Sequence, residues 1–160
     1  MSYTKCFALL LFLPAVCVEC RADVMFEIVS GPSVSASSAQ NVAAGISVAI
    51  YSRGAGLIAA GDSSTFNSAG FTPNGTEADA IANGDSITWG FTSATPYNLT
   101  DFDIRYDRSP TGPTGIWIEF QANGGVFQTV FSDSGVSENG ETVLGTTLTS
   151  FTNVSTGTFR

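Results

Sequence analysis

The chain has 160 residues, including 17 glycines and six prolines, is rich in Ser, Thr, Val, Ile and Phe, and carries a formal charge of -8. That length suits one domain with a real core, and the composition favours strands and tight turns over helices. The acidity excludes nucleic acid, whose phosphates need clustered positive charge, and disfavours an anionic membrane surface.

Residues 1–22 have the parts of an export signal: Lys5 as the basic start, an apolar stretch from Cys6 to Val18, and small residues at the end of Cys20-Arg21-Ala22. The expected cleavage is before Asp23. The apolar stretch, broken by Pro14, falls short of the roughly 20 residues a membrane-spanning helix requires, so no transmembrane anchor is expected. Cys17 and Cys20 follow Val16 and Glu19, not the small residue that lipid attachment wants. Cleavage would remove all three cysteines, Cys6, Cys17 and Cys20, and leave four arginines against 13 carboxylates on residues 23–160, read as a single domain. Stability must then come from burial and strand pairing.

Val24 to Ser30 alternates as a first strand, and the small residues of Gly31 to Ala44 read as a flexible connection or irregular edge. Ile46 to Ser52 alternates again, and Arg53-Gly54-Ala55-Gly56 turns the chain into Leu57 to Ala60. Gly61 to Asn83 is loop-rich, with one or two helical turns at Glu77 to Ile81. After the turn signal Asn83-Gly84, Ser86 to Thr92 sets Ile87, Trp89 and Phe91 on one face.

From Leu99 onward, Phe102, Ile104 and Tyr106 share a buried face, while Asp101, Asp103, Arg105 and Asp107 share a wet one. Gly115 to Gln121 and Val126 to Ser132 flank Ala122-Asn123-Gly124-Gly125, a hairpin signal because primed turns need residues tolerant of positive φ. A turn at Asn123-Gly124 sets Phe120 opposite Phe127, and a turn at Gly124-Gly125 sets it opposite Thr129. The two registers differ by two residues and keep the same faces: Ile116, Ile118, Phe120, Phe127 and Phe131 inward, Trp117, Glu119, Gln121, Gln128 and Val130 outward. Short strands between turn clusters, with no crossover helix and no internal repeat, predict an all-β fold: an antiparallel β-sandwich of jelly-roll type.

The chain contains no histidine, the commonest general base and metal ligand. Gly61-Asp62-Ser63 and Gly84-Asp85-Ser86 match the nucleophile block of GDS-type esterases, but with no histidine to take the serine proton they read as turns. Glu119 and Asp103 could approach across neighbouring strands as a glycosidase pair, and their spacing marks them only as solvated positions. No enzymatic activity is expected.

Asp101, Asp103 and Asp107 carry hard oxygens of the kind that holds calcium, although the plainer reading is a wet strand face partly neutralised by Arg105. The spacing lacks the glycine and distal glutamate of an EF-hand loop, and no other cofactor is expected. Trp117 is the more informative side chain. An amphipathic ring on the solvent-facing parity of a sheet is what sugar stacking needs, and Glu119, Gln121 and, opposite, Gln128 would serve the hydroxyls. The alternative is that another segment covers this face and makes Trp117 core.

Tyr97-Asn98-Leu99, Phe102-Asp103-Ile104-Arg105-Tyr106, Arg108-Ser109 with Gly112-Pro113, Trp117 and Asn123-Gly124-Gly125 together resemble the β-domain of bacterial PEP-CTERM sorted proteins, across about a quarter of the chain. Members of that group are surface or exopolysaccharide-associated proteins, and the resemblance implies export and a β-sandwich and supplies no catalytic residue. The chain departs from the pattern by ending at Thr158-Phe159-Arg160, inside a strand, without a sorting tail. Either the protein is truncated, which would leave the sheet short of a C-terminal strand with an unpaired edge, or it is released without anchoring. Asn74-Gly75-Thr76, Asn98-Leu99-Thr100 and Asn153-Val154-Ser155 match the glycosylation acceptor pattern and read as chance in a bacterial chain. The expected function is a non-catalytic secreted or cell-surface module binding extracellular polysaccharide. The alternatives are a purely structural matrix protein and a carboxylate-dependent glycoside hydrolase.

Overall fold

The alternation read from the sequence becomes eleven strands and one helix in a computed structural model, which describes residues 25–30, 37–61, 65–72 and 75–160. The expected leader and its cleavage point lie outside the described residues. In chain order the elements are β1 (Glu27–Ser30), β2 (Ser37–Gln40), β3 (Ile46–Arg53), β4 (Ile58–Ala59), β5 (Ser68–Ala69), α1 (Glu77–Asn83), β6 (Ile87–Tyr97), β7 (Asp101–Tyr106), β8 (Ile116–Ala122), β9 (Gln128–Asp133), β10 (Glu141–Thr147) and β11 (Val154–Phe159). No helix among the described residues is long and apolar enough to cross a membrane.

Five strands form one antiparallel sheet in the order β3-β6-β11-β8-β9. The β7–β10 pair covers its inner face, bringing Phe102 within 5.5 Å of Phe159 between ring centroids. β1 pairs antiparallel with β2, and Phe26, just before β1, stands 5.7 Å from Phe91. The fold is therefore all-β and sandwich-like. β2 was not expected from the sequence, because Ser-Ser-Ala-Gln offers little to bury; it forms because its backbone pairs with β1 from Glu27↔Gln40 to Ser30↔Ser37.

The last strand in chain order is not an edge strand. β11 lies inside the sheet between β6 and β8, and the Arg160 backbone exchanges hydrogen bonds with Glu119 at 2.9 and 3.0 Å. The core gathers around it. Phe120 and Val154 are fully buried, and Phe120 meets Phe151 edge-on at 4.8 Å and Phe159 at 4.6 Å. Phe159 in turn stacks on Trp89 at 5.1 Å. Leu148 and Ile118 complete the buried cluster.

The β8–β9 hairpin turns at Asn123-Gly124, with φ of 50° and 70° and a 2.9 Å bond from Gly125 N to Ala122 O. Its register matches neither expected pairing throughout. Ile118 faces Phe131, yet Glu119 faces Thr129 and Phe120 faces Gln128, so Val130 is an extra residue in β9. A one-residue bulge inverts parity, which a slip of two residues cannot do. Val130, expected outward, packs against the core, and Phe127, expected inward, lies beneath the Arg160 guanidinium, 4.0 Å from ring centroid to Cζ.

Asn123 also ties this turn to β11: its Oδ1 accepts from the Ser155 and Thr156 amides at 2.8 and 3.1 Å. Asn98 and Asn153 have a structural role too, the Asn153 amide donating to Asn98 Oδ1 at 3.0 Å. The helical turns expected at Glu77 to Ile81 appear as α1, started by a capping box in which Thr76 and Asp79 exchange hydrogen bonds and ended by Gly84 at φ 71°. The bonds from Thr76 hold the Asp79 carboxyl below the usual carboxylate range.

Candidate binding cleft

Strand parity places Trp117, Glu119 and Gln121 on one side of β8, but they do not form an open platform. Glu119 is buried at 9 % exposure, and its carboxylate accepts a 2.5 Å charge-assisted bond from Arg160 Nε. It is therefore not the solvated outward carboxylate the alternation suggested. Gln121 is half-buried and donates to Gly125 O at 2.7 Å, closing the hairpin turn. Gln128 is exposed and, because of the bulge at Val130, stands opposite Phe120 instead of opposite the outward residues of β8.

Asp101 and Asp103 on β7 and Asp107 just beyond its end are exposed as expected, with Phe102, Ile104 and Tyr106 half-buried between them. Asp103 Oδ1 accepts from Gly145 N at 2.7 Å, securing the irregular middle of β10. Among the described residues, no group of three or more His, Cys, Asp or Glu side chains stands close enough to hold a metal ion. Gly84-Asp85-Ser86 is a turn: Gly84 caps α1, and Asp85 Oδ2 accepts from the Thr72 amide and hydroxyl at 2.7 and 2.6 Å. Of the other match, Asp62 and Ser63 lie outside the described residues.

Trp117 is different. It is half-buried, folds back over Gly115, where a β-carbon would stand 3.1 Å from its Cη2, and lines a cleft of about 720 Å³. Trp89 at the start of β6, Tyr106 at the end of β7, Tyr51 of β3, and Phe66 and Phe71 from the segment before α1 line the same cleft. That segment is held by Arg53, whose Nε donates to Ser68 Oγ at 2.8 Å and whose guanidinium lies 3.8 Å above the Phe66 ring. α1 supplies Glu77, Ala80 and Ile81 to the wall and has no buried residue of its own.

The polar groups around the cleft are mostly engaged. Tyr106 donates its hydroxyl to Asp133 Oδ2 at 3.1 Å, with Glu141 Oε2 at 3.5 Å, and burial together with these carboxylates pushes its phenol well above the ordinary value of 10. Arg108 donates to Val136 O at 2.6 Å and pairs with Glu138 at 3.2 Å, while Arg160 is held by Glu119. Arg105 and Asp107 line the cleft, and their side chains make no hydrogen bond or ion pair among the described residues. A second, shallower groove of about 420 Å³ crosses the outer face over Ser47, Ser52, Thr88, Thr92, Thr156 and Thr158, with no charged residue in its lining.

The sequence marked Trp117 but gave no sign of its neighbours in the cleft. Tyr106 and Trp89 read as core because alternation reports the face of a strand and not its distance from the open end. No local signal connects Phe66 with Trp117. Comparison of the chain with protein-family models, curated proteins and solved structures finds no match.

Proposed function

We propose that this protein is an exported, non-catalytic module that binds extracellular polysaccharide in the cleft where Trp117 stands. One observation carries the reading: a half-buried indole shares a cleft of about 720 Å³ with Tyr106, Trp89 and Phe66, bordered by carboxylates and guanidinium groups. A concave aromatic site with a few polar groups is what a ligand with apolar ring faces and hydroxylated edges fits, and the volume lies within the usual range for ligand sites, about 300–1,000 Å³. Export rests on the pattern of residues 1–22. The non-catalytic reading is supported by the absence of histidine and by the pairing of Glu119 with Arg160, which occupies the carboxylate most open to a glycosidase role.

The test is a glycan array probed with the protein beginning at Asp23, repeated with Trp117→Ala. Truncating a stacked ring is expected to weaken binding by about 1 to 3 kcal/mol, roughly five- to 150-fold, without changing the unfolding midpoint by more than a half-buried side chain would. Binding that survives Trp117→Ala undiminished would remove the cleft from consideration. An array with no binding would favour the structural matrix protein.

A further inference from the structure

We infer that the glycan taken by this cleft is an amino-sugar polymer carrying free ammonium groups, an inference that rests on the polysaccharide reading above. Charge complementarity around an aromatic site supports it. Glu77, Asp85, Asp103 and Asp107 line the cleft, and Asp133 and Glu141 stand directly behind the Tyr106 hydroxyl. Against these six carboxylates the wall offers three guanidinium groups, of which two are neutralised within the fold, Arg108 by Glu138 and Arg160 by Glu119. Arg105 makes no ion pair, and Arg53, over the Phe66 ring, adds one more guanidinium beside the wall, so the carboxylates still outnumber the cations. The raised phenol of Tyr106 is consistent with this field, since its neighbouring carboxylates add to burial in opposing a further negative charge.

Low-dielectric walls focus such a field into a concave site, so a cation entering it gains more than it would on an open surface. A uronate polymer would bring like charge into this field. A neutral glycan would stack on Trp117 but bring no counter-charge to the carboxylates, of which the fold holds three with neutral donors, Thr72 for Asp85, Gly145 N for Asp103 and Thr129 for Glu77. Ammonium groups on a pyranose chain satisfy both halves of the site, the ring faces meeting the aromatic wall and the cations the carboxylates. A basic peptide would meet the charge but makes no particular use of the indole.

The experiment is calorimetric titration of the protein with a glucosamine oligomer, its N-acetylated counterpart, a galacturonate oligomer and oligolysine, at about pH 5.5, where the amine of glucosamine is protonated. We expect the glucosamine oligomer to bind about tenfold or more tighter than the acetylated one at low salt, with the gap closing toward 1 M salt as screening shortens to about 3 Å. Asp107→Asn, which breaks no contact in the fold, should narrow the gap about two- to fivefold, and Trp117→Ala should weaken both oligomers. Equal binding of the free and acetylated oligomers would overturn the inference while leaving the cleft a glycan site, as would preference for the uronate. Oligolysine binding as tightly as glucosamine, and indifferent to Trp117→Ala, would replace it with a basic peptide ligand. If none of the glycans binds, the polysaccharide reading fails and this inference with it.

Discussion

Gly157→Ala tests the centre of the sandwich with a single carbon. Gly157 sits within β11, opposite Phe91 on one neighbouring strand and Ala122 on the other. A β-carbon there would stand 2.7 Å from both Cε2 and Cζ of Phe120 and closer still to Phe91 Cε1. Carbon atoms are comfortable at about 3.5–4.0 Å, so each ring would have to retreat by most of an ångström or more. Neither has room: Phe91 is 3 % exposed, and Phe120 is fully buried between Phe151 and Phe159.

Forcing a methyl into a packed core costs about 1–3 kcal/mol, and displacing two rings belongs at the upper end. Removing the freedom of a glycine in the unfolded chain returns about 0.4–1 kcal/mol. The expected net loss is about 2 kcal/mol, a fall of roughly 5–10 °C in Tm for a domain of this size. Urea unfolding should show a lower midpoint at unchanged slope. In a Phe91→Leu background, which removes the nearest ring edge, the same substitution should cost less by at least about 0.5 kcal/mol. A Gly157→Ala protein as stable as the parent, or a cost indifferent to Phe91→Leu, would mean that these rings do not close over the glycine.

Phe120→Ala is expected to destabilise the domain by about 3–5 kcal/mol and Gln121→Ala by less than about 1.5 kcal/mol, so equal urea midpoints would refute the face assignment of β8. At alkaline pH the fold should weaken: the Tyr106 phenol is raised in the folded state, so its contribution is complete below the ordinary value of 10 and is lost as pH rises toward the folded value. Unfolding midpoints measured against pH should show this fall, and Tyr106→Phe should flatten it; an unchanged alkaline profile in that variant would contradict the Tyr106, Asp133 and Glu141 arrangement.

Faces within single strands were legible in the sequence. The alternation of Phe102, Ile104 and Tyr106 against Asp101, Asp103 and Arg105 is unchanged in β7, with Asp107 exposed just after it, and Phe120 is buried as its parity required. Successive side chains on a strand point to opposite sides whatever the strand packs against, so this property is local. The turn at Asn123-Gly124 was legible for a similar reason, since the positive φ of both residues is a local preference.

The register of β9 beyond that turn was not legible. The extra residue Val130 inverts the outer half of the strand, exchanging the faces of Phe127 and Val130, and no residue type in Val126 to Ser132 announces a bulge. Alternation also made Glu119 a solvated carboxylate, because its partner Arg160 lies 41 positions away. The pairing of β11 on both sides, the burial of Glu119 and the meeting of Trp117, Trp89, Tyr106 and Phe66 in one cleft all depend on which strand ends lie side by side. Periodicity determines the face of a strand from its own residues, whereas strand order and the spaces between strand ends are decided by the competition of all the apolar surfaces for one core, and so only in the folded chain.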